Sequence, residues 1–322
     1  MEPLVSIVIP ARNPDPPIFR QLMNSLLNQT YPNIEIIFVD SSPSFPPVLK
    51  EFMHRLIYVK QRRKNVSGVR QDGLDAVSGS ILLGVDCDCI PPPNWVETMI
   101  RRLDRDRGRT IVMGKSIPYD QDRISSIVQE NFERWVNYIG VEIDGDLLLM
   151  TLDTKSYGVF TDVARQVGFD TEMSAAEDTD FAFRALAAGN RIVYCPEAPV
   201  RHCHRQNLRD LLRQKRWHGF GYGQFVAKNG VDYYMHRPVQ VLCRAVLMIH
   251  LLPLFVAYLG QFFIRKGPDE FRRKIISGFE KLCFCWGMTW GIYRMGGVKA
   301  LRQRIKNDIL GLSSRFSITI VQ

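Results

Sequence analysis

The sequence predicts an α/β protein with a mostly parallel sheet flanked by helices, followed by a C-terminal region that is helical and basic. Short apolar runs rich in valine and isoleucine alternate with segments of helical spacing through the N-terminal third of the chain. Successive strand–helix units of this kind produce a parallel sheet with right-handed crossovers. The length agrees, because 322 residues are enough for one large domain of this class and an appendage.

The N-terminal elements follow one another in a regular order. Val5–Ala11 is a continuous β-branched run, as expected of a strand buried on both faces, and apolar residues recur at helical spacing from Phe19 to Leu27. A proline in the first turn supports the helix that begins at 93. The predicted strands are 5–11, 33–40, 56–59, 80–85 and 110–116, and the predicted helices are 17–29, 66–77 and 93–105.

Polar residues follow three of these strands. In an open parallel sheet, ligands bind beyond the carboxyl ends of the strands. We therefore expect these residues to share one rim of the sheet: Pro10, Ala11 and Arg12 after the first strand, Asp40, Ser41 and Ser42 after the second, and Asp86, Cys87 and Asp88 after the fourth.

Charge divides the chain in two. Residues 1–200 hold 21 Lys and Arg against 27 Asp and Glu, whereas residues 201–322 hold 21 against 6. Such a basic end favours an anionic partner. We predict two regions, an α/β domain over 1–223, which includes the first basic residues, and a basic, apolar-helical, membrane-associating region over 224–322.

The basic region also contains apolar stretches. Residues 245–264 are almost entirely apolar, which is borderline for a bilayer span of about 20 residues. The shorter stretch 282–293 is apolar and aromatic. Both flanks are strongly positive, and positive flanks stay cytoplasmic. We therefore expect a monotopic attachment or a re-entrant hairpin on anionic lipid, the alternative being a buried core helix.

The cysteines indicate a reducing environment. There are seven, without the spacing of a disulfide scaffold, and no cleavable signal opens the sequence. These features predict a cytosolic environment with free thiols, and together with the positive flanks they predict a location at the cytoplasmic face of the cell membrane. Cys195, His202, Cys203 and His204 cluster in sequence, but their spacing does not fit a zinc finger.

Asp86 and Asp88 form an Asp-x-Asp pair directly after a predicted buried strand. Such pairs are common in solvated turns. Just past a strand end, however, both carboxylates can reach one cation, and oxygen ligands suit Mg²⁺ or Mn²⁺ with positions left open for phosphates. Cys87 between them is a poor ligand for a hard cation.

A second acidic group opens a later predicted helix. Acidic residues at a helix start are ordinary capping residues. The other interpretation makes a carboxylate the general base that accepts the proton of a weakly nucleophilic hydroxyl. Glu177 and Asp178 are the candidates.

A basic and aromatic segment follows at 213–217. Guanidinium groups match diphosphate oxygens, and an indole ring can stack on a sugar. The alternative is a basic helix on lipid. The candidate residues are Gln214, Arg216 and Trp217, with His202 and His204 upstream as possible metal or phosphate ligands.

Taken together, these motifs resemble the family 2 inverting glycosyltransferases of GT-A fold. The resemblance covers roughly residues 4–223. It is carried by Ser6-Ile-Val-Ile-Pro-Ala-Arg12, Val39-Asp40-Ser41-Ser42, Gly68-Val-Arg70-x-x-Gly73, Val85-Asp86-Cys87-Asp88 and Glu177-Asp178-Thr-Asp180-x-x-x-Arg184.

The resemblance implies a role for each motif. Pro10, Ala11, Arg12 and Asp40 would bind the donor nucleotide, and Arg70 would approach its phosphates. Asp86 and Asp88 would hold Mn²⁺ or Mg²⁺ on the diphosphate. Asp178 would be the base, with Glu177 beside it.

Two departures from the family pattern refine these expectations. Asp40-Ser41-Ser42-Pro43 stands where the family often has Asp-Asp-Gly-Ser. Only Gln214, Arg216 and Trp217 match the Gln-(Gln/Arg)-x-Arg-Trp motif of processive synthases. No bundle of long apolar helices is present to form an export channel, so we predict an enzyme that adds one sugar.

The resemblance and the basic end together predict a nucleoside-diphosphate sugar donor and a lipid-linked or glycan acceptor at the membrane. Alternatives are a polyprenyl-phosphate monosaccharide synthase or a glycolipid synthase. A basic nucleic-acid-binding protein and an inactive sugar-nucleotide-binding protein are the non-enzymatic alternatives. No nucleic acid is expected as a partner, because the positive residues are interleaved with apolar runs.

Overall fold

The computed structural model describes residues 2–104, 108–120, 123–204, 207–230 and 252–310. The chain divides into two compact units, Met1–His204 and Arg205–Gln322. The boundary that the sequence predicts, at 223, falls inside a helix of the second unit (Leu208–Asn229).

The first unit is built on one ten-stranded sheet. Its strands are β1 (Val5–Ala11), β2 (Ile34–Asp40), β3 (Ile57–Lys60), β4 (Ile81–Val85), β5 (Cys89–Ile90), β6 (Thr110–Pro118), β7 (Gly140–Ile143), β8 (Asp146–Leu149), β9 (Ser156–Phe160) and β10 (Arg191–His202). Its helices are α1 (Pro16–Leu27), α2 (Asn65–Ala76), α3 (Trp95–Asp104), α4 (Arg123–Ile139), α5 (Thr161–Val167) and α6 (Glu177–Ala187). The predicted α/β class, a central sheet flanked by helices, is confirmed.

The N-terminal half of the sheet is parallel, in the order β3-β2-β1-β4. Helix α1 shows why the sequence folds this way: Asp15 caps it by accepting a hydrogen bond from the Ile18 amide, two prolines occupy its first turn, and Phe19 and Leu22 are buried against the sheet. The main core lies between β1, β2 and β4 on one side and α1 and α3 on the other.

The other half of the sheet is mixed. Strand β9 runs antiparallel between β4 and β6, and β10 pairs parallel with β6 and antiparallel with β5 and β8. This half is more mixed than the mostly parallel sheet that the sequence predicts, because β9 enters after a β-hairpin rather than after a crossover helix.

The second unit contains α7 (Leu208–Asn229) and α8 (Leu252–Leu310), which is interrupted by non-helical backbone at Gly267 and Gly297. Of the apolar stretch 245–264, residues 245–251 lie outside the described residues and the rest begin α8. Within the described ranges, none of the helices combines the length and apolar character needed to cross a bilayer.

Candidate active site

The carboxyl ends of β1, β2 and β3 meet at one rim of the sheet. Ala11 is in register with Asp40, and Asp40 with Lys60. The Ser41 amide donates to the Ala11 carbonyl (2.8 Å), and the Asn13 amide donates to the Ser42 hydroxyl (2.7 Å). The first two groups of predicted residues thus come together as the sequence indicates.

Asp40 is fully buried beneath this rim. Its carboxylate accepts hydrogen bonds from the Ser42 amide (2.8 Å), the Tyr58 hydroxyl (2.8 Å) and the Lys60 ammonium (3.0 Å). These donors outweigh burial and hold the pKa of Asp40 below its usual value. Asp40 is therefore an anchor for Tyr58 and Lys60, neither of which the sequence analysis singled out.

Arg70 lies between the carboxylates of Asp86 and Glu177 and donates a hydrogen bond to each. Its Nη2 donates to Asp86 (3.0 Å) and its Nε donates to Glu177 (2.9 Å), and the side chain is only 6% exposed. It joins the end of β4 to the start of α6, and 107 residues of sequence separate Arg70 from Glu177. Burial alone would lower its pKa, but the two carboxylates raise it, so Arg70 is permanently charged.

Gly84 and Tyr157 shape the floor beside Arg70. A Cβ atom at Gly84 would lie 1.9 Å from the Tyr157 ring, so only glycine allows the ring to cross β4 there. Tyr157 is almost fully buried, and burial raises its pKa to about 12, which keeps the phenol neutral.

Asp86 and Asp88 follow β4 as predicted, and both are partly buried. Burial, reinforced by the negative charge of Asp88, raises the pKa of Asp86 despite the Arg70 guanidinium. The Asp88 backbone carbonyl accepts a hydrogen bond from the Cys203 amide (3.0 Å), which ties this loop to the end of β10.

His202 ends β10 directly beside Asp88. Its Nε2 lies 3.6 Å from Asp88 Oδ1, and potential ligand atoms of Asp88, Cys89 and His202 all lie within 4.8 Å of one another. Among the residues that the structure describes, His202 Nδ1 is buried and has no hydrogen-bond partner. His204 packs edge-on against His202, with ring centroids 4.5 Å apart.

This arrangement fits a divalent cation. A carboxylate oxygen and an imidazole nitrogen are suitable ligands for Mn²⁺, whereas a thiol is a poor one. Burial also raises the pKa of Cys89 well above its usual value, so its sulfur stays protonated. We therefore consider Asp88 and His202 the candidate ligands, with Asp86 adjoining.

Asp178 stands in the first turn of α6, next to Glu177. Burial, then the charges of Glu177 and Asp153, raise the pKa of Asp178 to about 7. The preceding residue, Ala176, adopts a left-handed conformation (φ 58°), which turns the chain sharply into the helix. A carboxylate with this pKa can accept a proton near neutral pH.

Asp153 and Lys155 form an ion pair that the sequence analysis missed. Although burial opposes ionisation, the Lys155 ammonium holds the pKa of Asp153 below its usual value. The Lys155 carbonyl accepts a hydrogen bond from the Asp86 amide (3.4 Å), so the pair belongs to the same rim. In the sequence, the pair is visible only as Asp153-Thr154-Lys155, directly before β9, a strand that the sequence analysis did not predict.

The other predicted residues have separate positions. Pro10 is partly buried and Arg12 is exposed at the rim. Gln214, Arg216 and Trp217 lie on α7 in the second unit, where Trp217 is half exposed and stacks on Phe220 at 5.4 Å.

A separate cavity of about 490 Å³ lies beside the first residues of β2 and β3, at the opposite edge of the parallel strands. Its lining includes Tyr31, Glu35 and His54 and none of the predicted site residues.

The sheet, its flanking helices and this carboxylate-lined rim have the arrangement of the GT-A fold. Residues 6–156 match the family model described as glycosyl transferase family 2. Over this stretch, which is just under half of the chain, the sequence is similar to family 2 glycosyltransferases, in agreement with the motifs.

Relatives and solved structures show a similar likeness. The chain is 27% identical to a pre-mycofactocin glycosyltransferase of Mycobacterium tuberculosis over 67% of its own length and 46% of the relative's. It is 25% identical to the O-antigen chain rhamnosyltransferase WbaN of Salmonella anatum over 66% of its own length and 70% of the relative's.

Among solved structures, a mannosyltransferase from Pyrobaculum calidifontis in complex with GDP-Man and Mn²⁺ superposes with a TM-score of 0.56. The two chains are 17% identical over 97% of this chain and 88% of the other, a level that establishes the fold. The chain spans less than half the length of the first curated relatives it matches, 15% and 46%.

Proposed function

We propose that the protein transfers one sugar, with inversion, from a nucleoside-diphosphate sugar to a hydroxyl of a lipid-linked glycan at the cytoplasmic face of the membrane. The observation that carries this proposal is the arrangement Asp86–Arg70–Glu177, with Asp178 adjoining. This arrangement supports the proposal because Arg70 links Asp86 of the Asp-x-Asp pair to Glu177, which adjoins the candidate base Asp178.

The donor end of the site is the rim formed by β1, β2 and β4. Pro10, Ala11 and Arg12 would border the nucleotide, while Asp40 would act through Tyr58 and Lys60, since its own carboxylate is fully buried. Asp88 and His202, with Asp86, would hold Mn²⁺ or Mg²⁺. The cation, when bound, would neutralise charge on the diphosphate leaving group.

The reaction would be a single displacement. As the acceptor oxygen forms its bond to the anomeric carbon, the bond from that carbon to the diphosphate oxygen breaks and the nucleoside diphosphate leaves with the electron pair. Asp178 would take the acceptor's proton. In this proposal Arg70 acts as a positioning residue that holds Asp86 and Glu177, rather than as a direct phosphate ligand, because its donors already face both carboxylates.

The test is a donor screen on the full-length protein. Melting temperature and slow donor hydrolysis would be measured with several nucleotide sugars, in the presence of Mn²⁺, Mg²⁺ or EDTA. We expect stabilisation by one donor class, lost with EDTA and in Asp88→Asn. Asp162→Asn, an exposed change in the first turn of α5, serves as the matched control. A folded protein that no nucleotide sugar stabilises would contradict the proposal.

The acceptor is tested once the donor is known. Transfer to a polyprenyl-diphosphate glycan would support the proposal. Transfer to a bare polyprenyl phosphate would favour a monosaccharide synthase, and transfer to a diacylglycerol lipid would favour a glycolipid synthase. Product from a soluble glycan alone would contradict a lipid-linked acceptor.

A further inference from the structure

Helix α8 presents a row of large aromatic side chains to solvent. Phe279, Trp286, Trp290 and Tyr293 are 50%, 62%, 52% and 39% exposed. They are separated by seven, four and three residues, which places all of them on one side of a helix of 3.6 residues per turn. We call these residues the aromatic face.

The opposite side of α8 is packed against α7. Cys285 and Met288 are fully buried there. A Cβ atom at Gly287 would lie 1.9 Å from the Arg216 carbonyl oxygen, and one at Gly291 would lie 2.0 Å from the Phe220 carbonyl oxygen.

The contact is reciprocal. Cβ atoms at Gly219 and Gly223 of α7 would lie 2.0 Å and 2.2 Å from the carbonyl oxygens of Phe284 and Met288. The two backbones are thus in direct contact through four glycines. Rotating α8 to bury the aromatic face would break this contact, so the exposure of the aromatic rings follows from the way the unit is packed.

Cations flank the aromatic face. Arg272 lies seven residues before Phe279 and Arg294 lies four residues after Trp290, so both share its side of the helix, and both are exposed. Helix α8 as a whole carries eleven Lys and Arg against four Asp and Glu. Its surroundings therefore favour an anionic partner.

The side chains on this face suit lipid better than sugar. Sugar hydroxyls are usually bound by carboxylates and amides, and between 272 and 294 there is no Asn or Gln, and the one acidic residue is Glu280. Glu280 is 5% exposed and lies 3.5 Å from Lys215 of α7. Trp and Tyr rings, by contrast, prefer the headgroup level of a bilayer, and Arg binds lipid phosphates.

We propose that the aromatic face of α8, with Arg272 and Arg294, docks on the headgroup region of an anionic bilayer. The helix would lie in the plane of the interface rather than cross it. This inference rests on the proposed function, because docking would bring the protein to the membrane surface that holds the lipid-linked acceptor. Its test requires no turnover.

The test uses the full-length protein and vesicles of phosphatidylcholine with or without phosphatidylglycerol, with binding measured by flotation. We expect binding that needs phosphatidylglycerol and weakens with salt. The double variant Trp286→Ser/Trp290→Ser should bind at least about 10-fold more weakly, since each indole contributes apolar area to the interface.

Matched variants keep the result interpretable. Trp286→Phe/Trp290→Phe keeps apolar rings and should retain most of the binding, which excludes a general folding defect. Tyr138→Ser removes an exposed aromatic ring (54%) from the first unit and should bind like the wild type. Arg272→Gln/Arg294→Gln should reduce the preference for phosphatidylglycerol.

Other outcomes would overturn the proposal. These are equal vesicle binding by the serine double variant, no vesicle binding by the wild type, or tryptophan-dependent binding to soluble glycan or to a second copy of the chain instead of vesicles. Donor hydrolysis without vesicles separates the two proposals. Normal hydrolysis with no vesicle binding rejects only the docking surface, and vesicle binding with no donor response rejects only the proposed function.

Discussion

Arg70 is a single side chain that holds two segments of the site, and its shape explains why. A guanidinium has several donors in a planar fork, so Nη2 can donate to Asp86 while Nε donates to Glu177. Lysine has the same charge concentrated at one point. It cannot occupy both positions at once.

We therefore expect Arg70→Lys to lower kcat/KM on the order of 100-fold, because the carboxylates of the proposed site lose their alignment. It should also lower the free energy of unfolding by about 3 kcal/mol, since one buried carboxylate loses its partner. Donor turnover and thermal melting measure the two effects. Arg62→Lys, on an exposed arginine beside Asp75, is the control, and activity of Arg70→Lys within twofold of wild type would contradict the bridging role.

The ionisation of Asp178 should make the activity depend on pH. A base must be ionised to accept a proton, so kcat/KM should be high above pH 7 and fall as pH decreases through about 7, the pKa of Asp178. Asp178→Asn should abolish transfer at every pH. The interval from pH 5 to pH 8 extends about one unit or more beyond that pKa on either side. A flat profile across it would argue against Asp178 as the base.

The raised pKa of Asp178 also affects the free energy of unfolding, which should fall as pH rises, whereas kcat/KM should increase. The folded state favours the neutral acid, so stability is lost as pH rises from the unfolded value toward about 7, and the penalty is complete above it. At pH 8, Asp178→Asn should therefore stabilise the protein on the order of 1 kcal/mol, allowing for partial exposure of the side chain. A melting temperature equal to wild type at pH 8 would show that the penalty is absent.

Asp153 influences the pKa of the proposed base, Asp178. Its negative charge contributes to the raised pKa of Asp178. Asp153→Asn should move the acidic limb of the pH profile toward lower pH while leaving the maximal rate similar, and kinetics across pH measure this. A limb that stays in place, with the variant folded, would mean that the charge of Asp153 is screened from Asp178.

At the scale of the element, α6 begins with strain. Ala176 adopts φ 58°, which costs an L-residue about 1 kcal/mol relative to glycine. Ala176→Gly should therefore be neutral or stabilising in thermal melts, whereas Ala176→Val should destabilise and lower turnover, since Glu177 and Asp178 follow directly. If both variants melt and turn over like wild type, the left-handed turn does not position these carboxylates.

Local sequence pattern decides which elements could be predicted from the sequence. Strands β1, β2 and β4 are mostly apolar runs followed by polar residues, so both their existence and their common rim could be predicted. Strand β9 could not, because its five residues include a glycine and its partners are set by non-local pairing. Asp153 and Lys155, just before β9, were missed for that reason.

Individual side-chain roles were harder to predict than the rim itself. The motif around Arg70 suggests phosphate binding, but only the structure reveals the two carboxylates that the guanidinium meets, Asp86 after β4 and Glu177 at the start of α6. Likewise Asp40 could be located from the sequence, whereas its burial under Lys60 depends on the register of β2 and β3.

At the scale of the whole molecule, the uneven charge predicts how salt affects activity. Residues 201–322 carry 21 basic against 6 acidic residues, so attraction to an anionic surface should weaken as salt screens it. We expect transfer to an acceptor embedded in phosphatidylglycerol vesicles to fall several-fold between low and high salt. Hydrolysis of the donor in solution should change little. Equal salt sensitivity of both reactions would place the effect in the active site instead.

Strand β9 also has a consequence for how the protein is made. It lies between β4 and β6, so a chain emerging from the ribosome presents two strand edges that cannot be joined until residue 160 has been synthesised. Arg70 meets Glu177 later still, more than a hundred residues after its own appearance. A chain whose translation stops between β6 and β9 would expose unpaired edges that other nascent chains can join, so we expect chaperones to engage the protein during that interval.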